Sequence, residues 1–193
     1  MKWEYTVTPA SPVRRFACTS DRDEFHDLIG DVATSAWYMT PNAGVKANDR
    51  QAFELLQYTV DGQERKIRRS ERKTGQTYTV NLGDDVMRAS KPIKIAHTYR
   101  TVAPKASHNL FLAVAQPTRG ITVTLDYTDT DIDQMRVSEL VSSAARPRTA
   151  VMPKEVAARV VTVEVPGWLL PPAQFTCVWS LASERLPAEP TAA

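Results

Sequence analysis

The sequence predicts a mainly β fold, either an antiparallel β-sandwich of the immunoglobulin-like type or a closed β-barrel, with about 8–10 strands and one short N-terminal helix. Apolar and polar residues alternate with a period of two in many separate runs, as they do in strands with one buried face. Turn residues separate these runs, and no long helical pattern lies between them. No motif recurs at a fixed period, so a propeller or a solenoid is not expected.

The composition is that of an ordinary globular domain, with 42% hydrophobic and 24% charged residues. The net charge of +2 is too small for the overall field to attract polyanions, and specific binding to duplex nucleic acid is not expected. No apolar run reaches the ~18 residues that would cross a bilayer. The two cysteines lie near opposite ends and no signal peptide precedes Trp3, which predicts a cytoplasmic protein or the soluble part of a membrane-anchored one. High use of arginine and alanine relative to lysine indicates a bacterial source.

Residues 1–50 are predicted as an N-terminal extension that packs on the main domain. Residues 2–8 alternate like a strand until Pro9 interrupts the pattern, so we expect an edge strand or a partly ordered arm. A short helix is predicted after an N-cap at Ser20. Its apolar residues recur at helical spacing and predict one face packed on the sheet: Phe25, Leu28, Ile29 and Val32. Residues 33–39 fit either more helix or a strand.

Residues 51–183 are predicted as the main sandwich or barrel domain, and residues 184–193 as a disordered tail. An Asp61-Gly62 pair between two strand-forming runs predicts a hairpin within residues 53–82, because both central positions of a type I′ turn need positive φ. The later strands are predicted from alternating runs that begin at Tyr78, Ile93, Leu110, Ile121, Met135, Val160 and Phe175.

The strand after that turn, residues 63–73, is unusually basic and has Ile67 as its one apolar residue. One interpretation is an edge strand whose charges prevent sheet-to-sheet aggregation. The other is an anion site, in which arginines on a rigid ribbon grip phosphate groups and a neighbouring tyrosine ring stacks on a base. The predicted ligand-binding residues are Arg65, Arg68, Arg69, Arg72, Tyr58, Tyr78 and His97.

His97 alternates with Ile93, Ile95 and Tyr99, which should form the buried face of their strand. A neutral imidazole in that position can contact a ligand or act as a base. The alternative is a core histidine that is hydrogen bonded to a backbone carbonyl.

Metal and cofactor sites are not expected. The glycine-rich phosphate loop, the nucleophile elbow and the zinc-protease motif are all missing from the sequence. Residues 126–133 are rich in aspartate, but the run lacks the glycine and the glutamate of a calcium loop, so we expect a solvated acidic loop between strands.

Residues 167–170 contain Trp168 between apolar neighbours and are predicted as a loop. Such a loop either folds back as a plug over the open end of the sandwich or barrel, or forms an exposed apolar tip that meets a partner.

These observations favour a non-catalytic ligand-sensing or interaction domain. It would bind an anionic molecule, such as the nucleotide second messenger of a bacterial defence sensor, or a protein partner, and would regulate an attached or neighbouring effector. The alternative is an assembly subunit of a phage or secretion system, a possible homo-oligomer that uses strand edges and the Trp168 loop for contacts. A hydrolase or transferase site at His97 is a third hypothesis, but the sequence supplies it with no nucleophile or metal.

Overall fold

The computed structural model describes residues 1–41, 44–114, 116–140, 147–153, 158–171 and 173–184. The strands are β1 (Lys2–Val7), β2 (Val13–Thr19), β3 (Thr34–Tyr38), β4 (Phe53–Val60), β5 (Gln63–Glu64), β6 (Ile67–Glu71), β7 (Gly75–Asn81), β8 (Ile93–Thr101), β9 (Asn109–Ala113), β10 (Thr118–Asp126), β11 (Ile132–Leu140), β12 (Arg148–Val151), β13 (Val160–Leu169) and β14 (Gln174–Leu181). The helices are α1 (Arg22–Ile29) and α2 (Asp84–Ala89), with short 3-10 turns at Lys105–Ser107 and Ala182–Glu184.

The strands form three sheets around one core. A seven-stranded sheet has the order β12-β13-β10-β1-β8-β4-β5. The inner face of this sheet covers the core. A four-stranded sheet, β3-β2-β7-β6, and a three-stranded sheet, β11-β14-β9, contribute residues to the same core. The predicted mainly β, sandwich-like fold is therefore confirmed. The described strands form open sheets rather than the alternative closed barrel. The described residues also contain a second helix, α2, that was not predicted from the sequence.

The N-terminal strand β1 lies in the middle of the seven-stranded sheet. Its Trp3, Tyr5 and Val7 face the core, as their alternation predicts. The strand is not at an edge, because β8 pairs with one side of it and β10 with the other, so that Trp3 lies opposite both His97 and Val123. The segment 1–50 thus supplies β1 to the seven-stranded sheet and β2 and β3 to the four-stranded sheet.

The only parallel pairing among the described strands joins β2 and β3 across helix α1. Asp21, one residue later than predicted, caps α1 by accepting hydrogen bonds from the backbone N–H groups of Asp23 and Glu24 at 3.0 and 3.1 Å. The helix ends at Gly30, and the ambiguous segment that follows is strand β3. The predicted apolar face is largely uncovered, since no α1 residue is buried and Ile29 is 54% exposed.

The predicted hairpin turn is present at Asp61 and Gly62, whose φ angles are 50° and 79°. The basic segment after it does not continue as one strand beside β4. Of the basic segment, only β5 pairs with β4. After Arg65 and Lys66 the chain passes into the four-stranded sheet, where β6 pairs with β7. The basic segment therefore bridges the two layers of the sandwich.

The predicted loop at residues 167–170 is in fact mostly the end of β13. Leu169 is buried, while Trp168 on the opposite face is 54% exposed, as the alternation of a strand requires. Of the predicted tail, Glu184 is described and accepts a hydrogen bond from the backbone N–H of Leu181 at 2.8 Å. Residues 185–193 lie outside the described residues. No helix among the described residues is both long and apolar enough to cross a membrane.

Candidate functional site

Of the predicted anion-binding arginines, Arg69 is part of the internal framework of the four-stranded sheet. Its Nε donates to Oε1 of Gln76 at 2.8 Å, and its Nη2 donates to the carbonyl of Asn48 at 2.6 Å. A third contact joins Nη1 to the Glu71 carboxylate at 3.1 Å. All of its guanidinium nitrogens thus already have partners within the protein.

The other three arginines point in different directions. Arg72 pairs with the Glu24 carboxylate at 2.6 Å, and Arg65 lies where the chain passes between layers, near Gly83. Arg68 is exposed on the outer face of β6, opposite Thr79 on β7. The structure therefore does not bring the four arginines of the basic segment together around one point.

The two predicted stacking tyrosines are buried. The hydroxyl oxygen of Tyr78 lies 3.2 Å from the carbonyl oxygen of Phe53 and 3.1 Å from Oε1 of Gln76, and its single proton is donated to one of these two acceptors. Tyr58 lies in the core with its ring parallel to that of His97, at a centroid distance of 5.9 Å. Neither ring is placed for a base to stack on it beside an exposed arginine.

A different group of residues surrounds a cavity of about 390 Å³ between the three sheets, which we call the interior cleft. Its floor is the inner face of the seven-stranded sheet, with alternate residues of β1 and β8: Trp3, Tyr5, His97 and Tyr99. Residues 34–37 of β3 line one side, and residues 111–114 in and after β9 line the other. Phe25 and Ile29 of α1 and the 61% exposed Phe111 complete an apolar lining.

The two sides of the interior cleft are strand edges rather than strand faces. A face presents alternate side chains of a strand, whereas an edge presents the backbone of consecutive residues. Both β3 and β9 contribute such consecutive runs. In the described part of the chain each is also the terminal strand of its sheet, with β2 beside β3 and β14 beside β9.

His97 lies at the floor of the interior cleft within a cluster of aromatic rings. Centroid distances of 5.0 to 6.1 Å separate its ring from those of Trp3, Tyr5, Phe16, Tyr58 and Tyr99. Burial, assisted by the positive charges of Arg14 and the N-terminus, lowers the pKa of His97 to about 3. The imidazole is therefore neutral at ordinary pH, and its Nδ1 has no hydrogen-bond partner among the described residues.

Arg14 of β2, which is not among the site residues predicted from the sequence, is a buried cation on the wall of the same cleft. It is 6% exposed, and its Nη1 and Nη2 donate to the Val32 carbonyl at 2.8 Å and the Ser35 hydroxyl at 3.2 Å. Its Nε has no partner, and none of the carboxylates in the described ranges forms an ion pair with it. A buried charge without a counterion lowers the free energy of unfolding, so the presence of Arg14 at this position calls for an explanation.

Tyr5 and Tyr58 are close to the same guanidinium. Burial raises the pKa of both phenols, and the nearby charge of Arg14 lowers it in part. A hydrogen bond from the Arg14 guanidinium also lowers the pKa of both phenols, so the Tyr58 hydroxyl has Arg14 as its polar neighbour. Nε of Arg14 and Nδ1 of His97 are buried without a hydrogen-bond partner among the described atoms. Buried polar atoms normally have partners, so these two nitrogens near one cavity point to a polar group or water that completes them.

The described residues offer little for covalent or metal chemistry. Burial raises the pKa of the Cys18 and Cys177 thiols to about 12, so neither is a ready nucleophile. Of the predicted acidic loop, Asp126 accepts from the Thr128 backbone N–H at 3.0 Å and Asp131 pairs with Lys105. Within the described ranges, no group of three or more histidine, cysteine or acidic side chains is placed to hold a metal ion.

Comparison of the chain with protein-family models, with curated proteins and with solved structures gave no significant match.

Proposed function

We propose that this chain is a non-catalytic binding domain that takes up an anionic ligand with an apolar body into the interior cleft. The observation that supports this proposal is the position of Arg14, a buried guanidinium without a carboxylate partner among the described residues, on the wall of an aromatic cavity. A bound anion would supply the missing counterion.

The chemistry of the cleft suits such a ligand. A guanidinium presents a planar fork of N–H donors that matches a carboxylate or a phosphate, and the match is stronger away from water. The neutral imidazole of His97 can give or take one further hydrogen bond without adding a charge. The aromatic rings around it would cover the apolar body of the ligand.

The proposal keeps the anionic ligand of the sequence-based hypothesis and moves its site from the basic segment to the interior cleft. A nucleotide second messenger is one anion that the proposal includes. Regulation of an attached or neighbouring effector remains a further part of the same hypothesis, because a ligand held between separate sheets can change how they pack.

Calorimetric titration with a matched pair of probes tests the proposal. 4-Phenylbutyrate carries a carboxylate on an apolar body, whereas 4-phenylbutyramide has the same shape without the charge. We expect the acid to bind, and the amide and the Arg14→Gln variant each to lose at least about tenfold in affinity, since the charge-assisted pair is gone.

Arg15→Gln is the matched control, because Arg15 is the next residue of β2, is exposed and pairs with Asp31 at 3.2 Å. It should bind the acid as the wild type does. Adenosine monophosphate with the Arg68→Gln variant provides the second arm, which tests the basic segment. Equal affinity for the acid and the amide would overturn the proposal. So would a loss of anion affinity in Arg68→Gln without a loss in Arg14→Gln.

A further inference from the structure

The edges of the sheets differ in how they are protected. Natural proteins place charges or proline on edge strands, because an open edge invites pairing with another chain. The edge strands β5, β6, β11 and β12 each carry charged residues. The edge strands β3, with the sequence Thr-Ser-Ala-Trp-Tyr, and β9, with Asn-Leu-Phe-Leu-Ala, carry neither a charge nor a proline. The two unprotected edges are the two that line the interior cleft.

Open backbone groups of β9 can be assigned from the hydrogen bonds to β14. The N–H of Trp179 donates to the carbonyl of His108 at 3.0 Å, and the N–H of Val114 donates to the carbonyl of Ala173 at 2.9 Å. Hydrogen-bonded pairs alternate along an antiparallel ladder, so the backbone groups of Phe111 and Ala113 point away from β14. They are directed to the open edge.

The same reasoning applies to β3. The N–H of Arg15 donates to the carbonyl of Ala33 at 2.9 Å, and the N–H of Met39 donates to the carbonyl of Thr19 at 2.8 Å. Alternation along this parallel pair directs the backbone groups of Ala36 away from β2. Two strand edges with available donors and acceptors therefore border one cleft.

We infer that the ligand of the interior cleft is an extended polypeptide segment that adds as a strand beside β9 or β3 and places an acidic side chain at Arg14. This inference rests on the proposed function, because it uses the same cleft and the same buried cation. Strand addition would satisfy the open backbone groups, and alternate apolar side chains of the segment would pack on the aromatic floor. The carboxylate is the charge complement of Arg14.

A designed peptide can serve as the probe. It is an acetylated and amidated nonapeptide in which valine alternates with threonine or lysine and one valine is replaced by glutamate. Three versions carry the glutamate at different positions, because the register is set by the distance to Arg14. We expect at least one version to bind in calorimetric titration, and its glutamine analogue to bind at least about tenfold more weakly.

Backbone methylation separates strand pairing from other binding. N-methyl groups on alternate residues block one edge of the peptide, so two isomers block its two edges in turn. We expect at least one isomer to lose about tenfold or more in affinity. The Ala113→Pro variant, which removes an open N–H from β9, or Ala36→Pro for β3, should lower the affinity for the peptide.

Failure of the inference and failure of the proposed function give different results. If 4-phenylbutyrate binds and no peptide version does, or if both methylated isomers bind as tightly as the parent peptide, the inference is wrong and the proposed function stands. If the peptide and the acid both bind to Arg14→Gln as tightly as to the wild type, the inference and the proposed function are both wrong. Circular dichroism of each proline variant confirms that it is folded before its affinity is compared.

Discussion

Arg69 on β6 and Gln76 on β7 are joined by a hydrogen bond of 2.8 Å from the guanidinium Nε to the amide Oε1. Gln76 is buried, and its Nε2 donates to the carbonyls of Ala47 at 3.0 Å and Asp49 at 2.5 Å. One amide therefore links the charged edge strand to the segment that precedes β4. Arg69, one of the arginines predicted as ligand contacts, is therefore a structural group.

The Gln76→Leu substitution should lower the free energy of unfolding by roughly 3 kcal/mol, because it leaves buried donors and acceptors without partners. Arg69→Ala should cost about 1–2 kcal/mol for the same reason, and the exposed Arg68→Ala less than about 0.5 kcal/mol. Urea denaturation measures all three. Equal effects of Arg68→Ala and Arg69→Ala would contradict the assignment of these two residues to different roles.

The stability of the protein should fall with pH because of His97. Its pKa is lowered to about 3 in the folded state, against roughly 6.5 in an unfolded chain. Between these values the unfolded state binds more protons, so the stability present above pH 6.5 is lost as the pH decreases. At about 1.4 kcal/mol per pH unit, the loss from pH 6.5 to pH 4.5 attributable to His97 is about 2 kcal/mol.

Urea titrations of the wild type and of His97→Phe at the two pH values isolate this contribution, because the carboxylates titrate in both proteins. The difference in unfolding free energy between pH 6.5 and pH 4.5 should be smaller in His97→Phe. His26→Gln, on the exposed side of α1, is the control and should follow the wild type. Parallel curves for wild type and His97→Phe would show that His97 does not carry the effect.

Two glycines should respond to alanine in opposite ways. A Cβ at Gly75 would lie 2.2 Å from the backbone carbonyl oxygen of Cys18, so Gly75→Ala forces β2 and β7 apart and should cost about 2–4 kcal/mol. Gly30, at the end of α1, has φ −73° and ψ −17°, which alanine adopts readily. Gly30→Ala should be neutral or stabilising by up to about 1 kcal/mol. Thermal unfolding of both variants measures the contrast, and an equal loss in both would contradict it.

Arg14 should lower the free energy of unfolding of the unliganded protein. Arg14→Met keeps the long side chain and removes the unpaired charge, so we expect the unfolding free energy to rise by about 1 kcal/mol or to stay unchanged. Arg15→Met removes an exposed ion pair and should change it by less than about 0.5 kcal/mol. A loss of more than about 2 kcal/mol in Arg14→Met would mean that the bonds to Val32 and Ser35 outweigh the desolvation of the guanidinium.

Alternation in the sequence identified inward faces well and pairing partners poorly. Trp3 and Tyr5 of β1 face the core as predicted, but nothing local to them indicates that β8 and β10 lie on either side. Strand β2 was missed because Arg14 occupies an inward position before Phe16 and Cys18, where an apolar residue is expected. No glycine or proline in residues 63–73 indicates that the chain crosses between the layers at Arg65.

Of the two principal polar residues of the candidate site, His97 could be predicted from the sequence and Arg14 could not. His97 has apolar neighbours at period two, so its burial could be inferred. A buried arginine breaks the hydrophobic pattern, and only the fold shows that Arg14 and the face of His97 line the same cleft. Tyr78 begins an alternating apolar run, so its burial could also be inferred from the sequence, and its proposed stacking role required an exposed ring that the structure does not show.

The central position of β1 also determines when the protein can fold. Both of its partners follow much later in the chain, β8 at residues 93–101 and β10 at residues 118–126. A ribosome therefore releases Trp3 and Tyr5 long before the strands that cover them exist, and folding of the large sheet must wait for its most distant contacts. The nascent chain therefore exposes an unpaired aromatic strand throughout that interval.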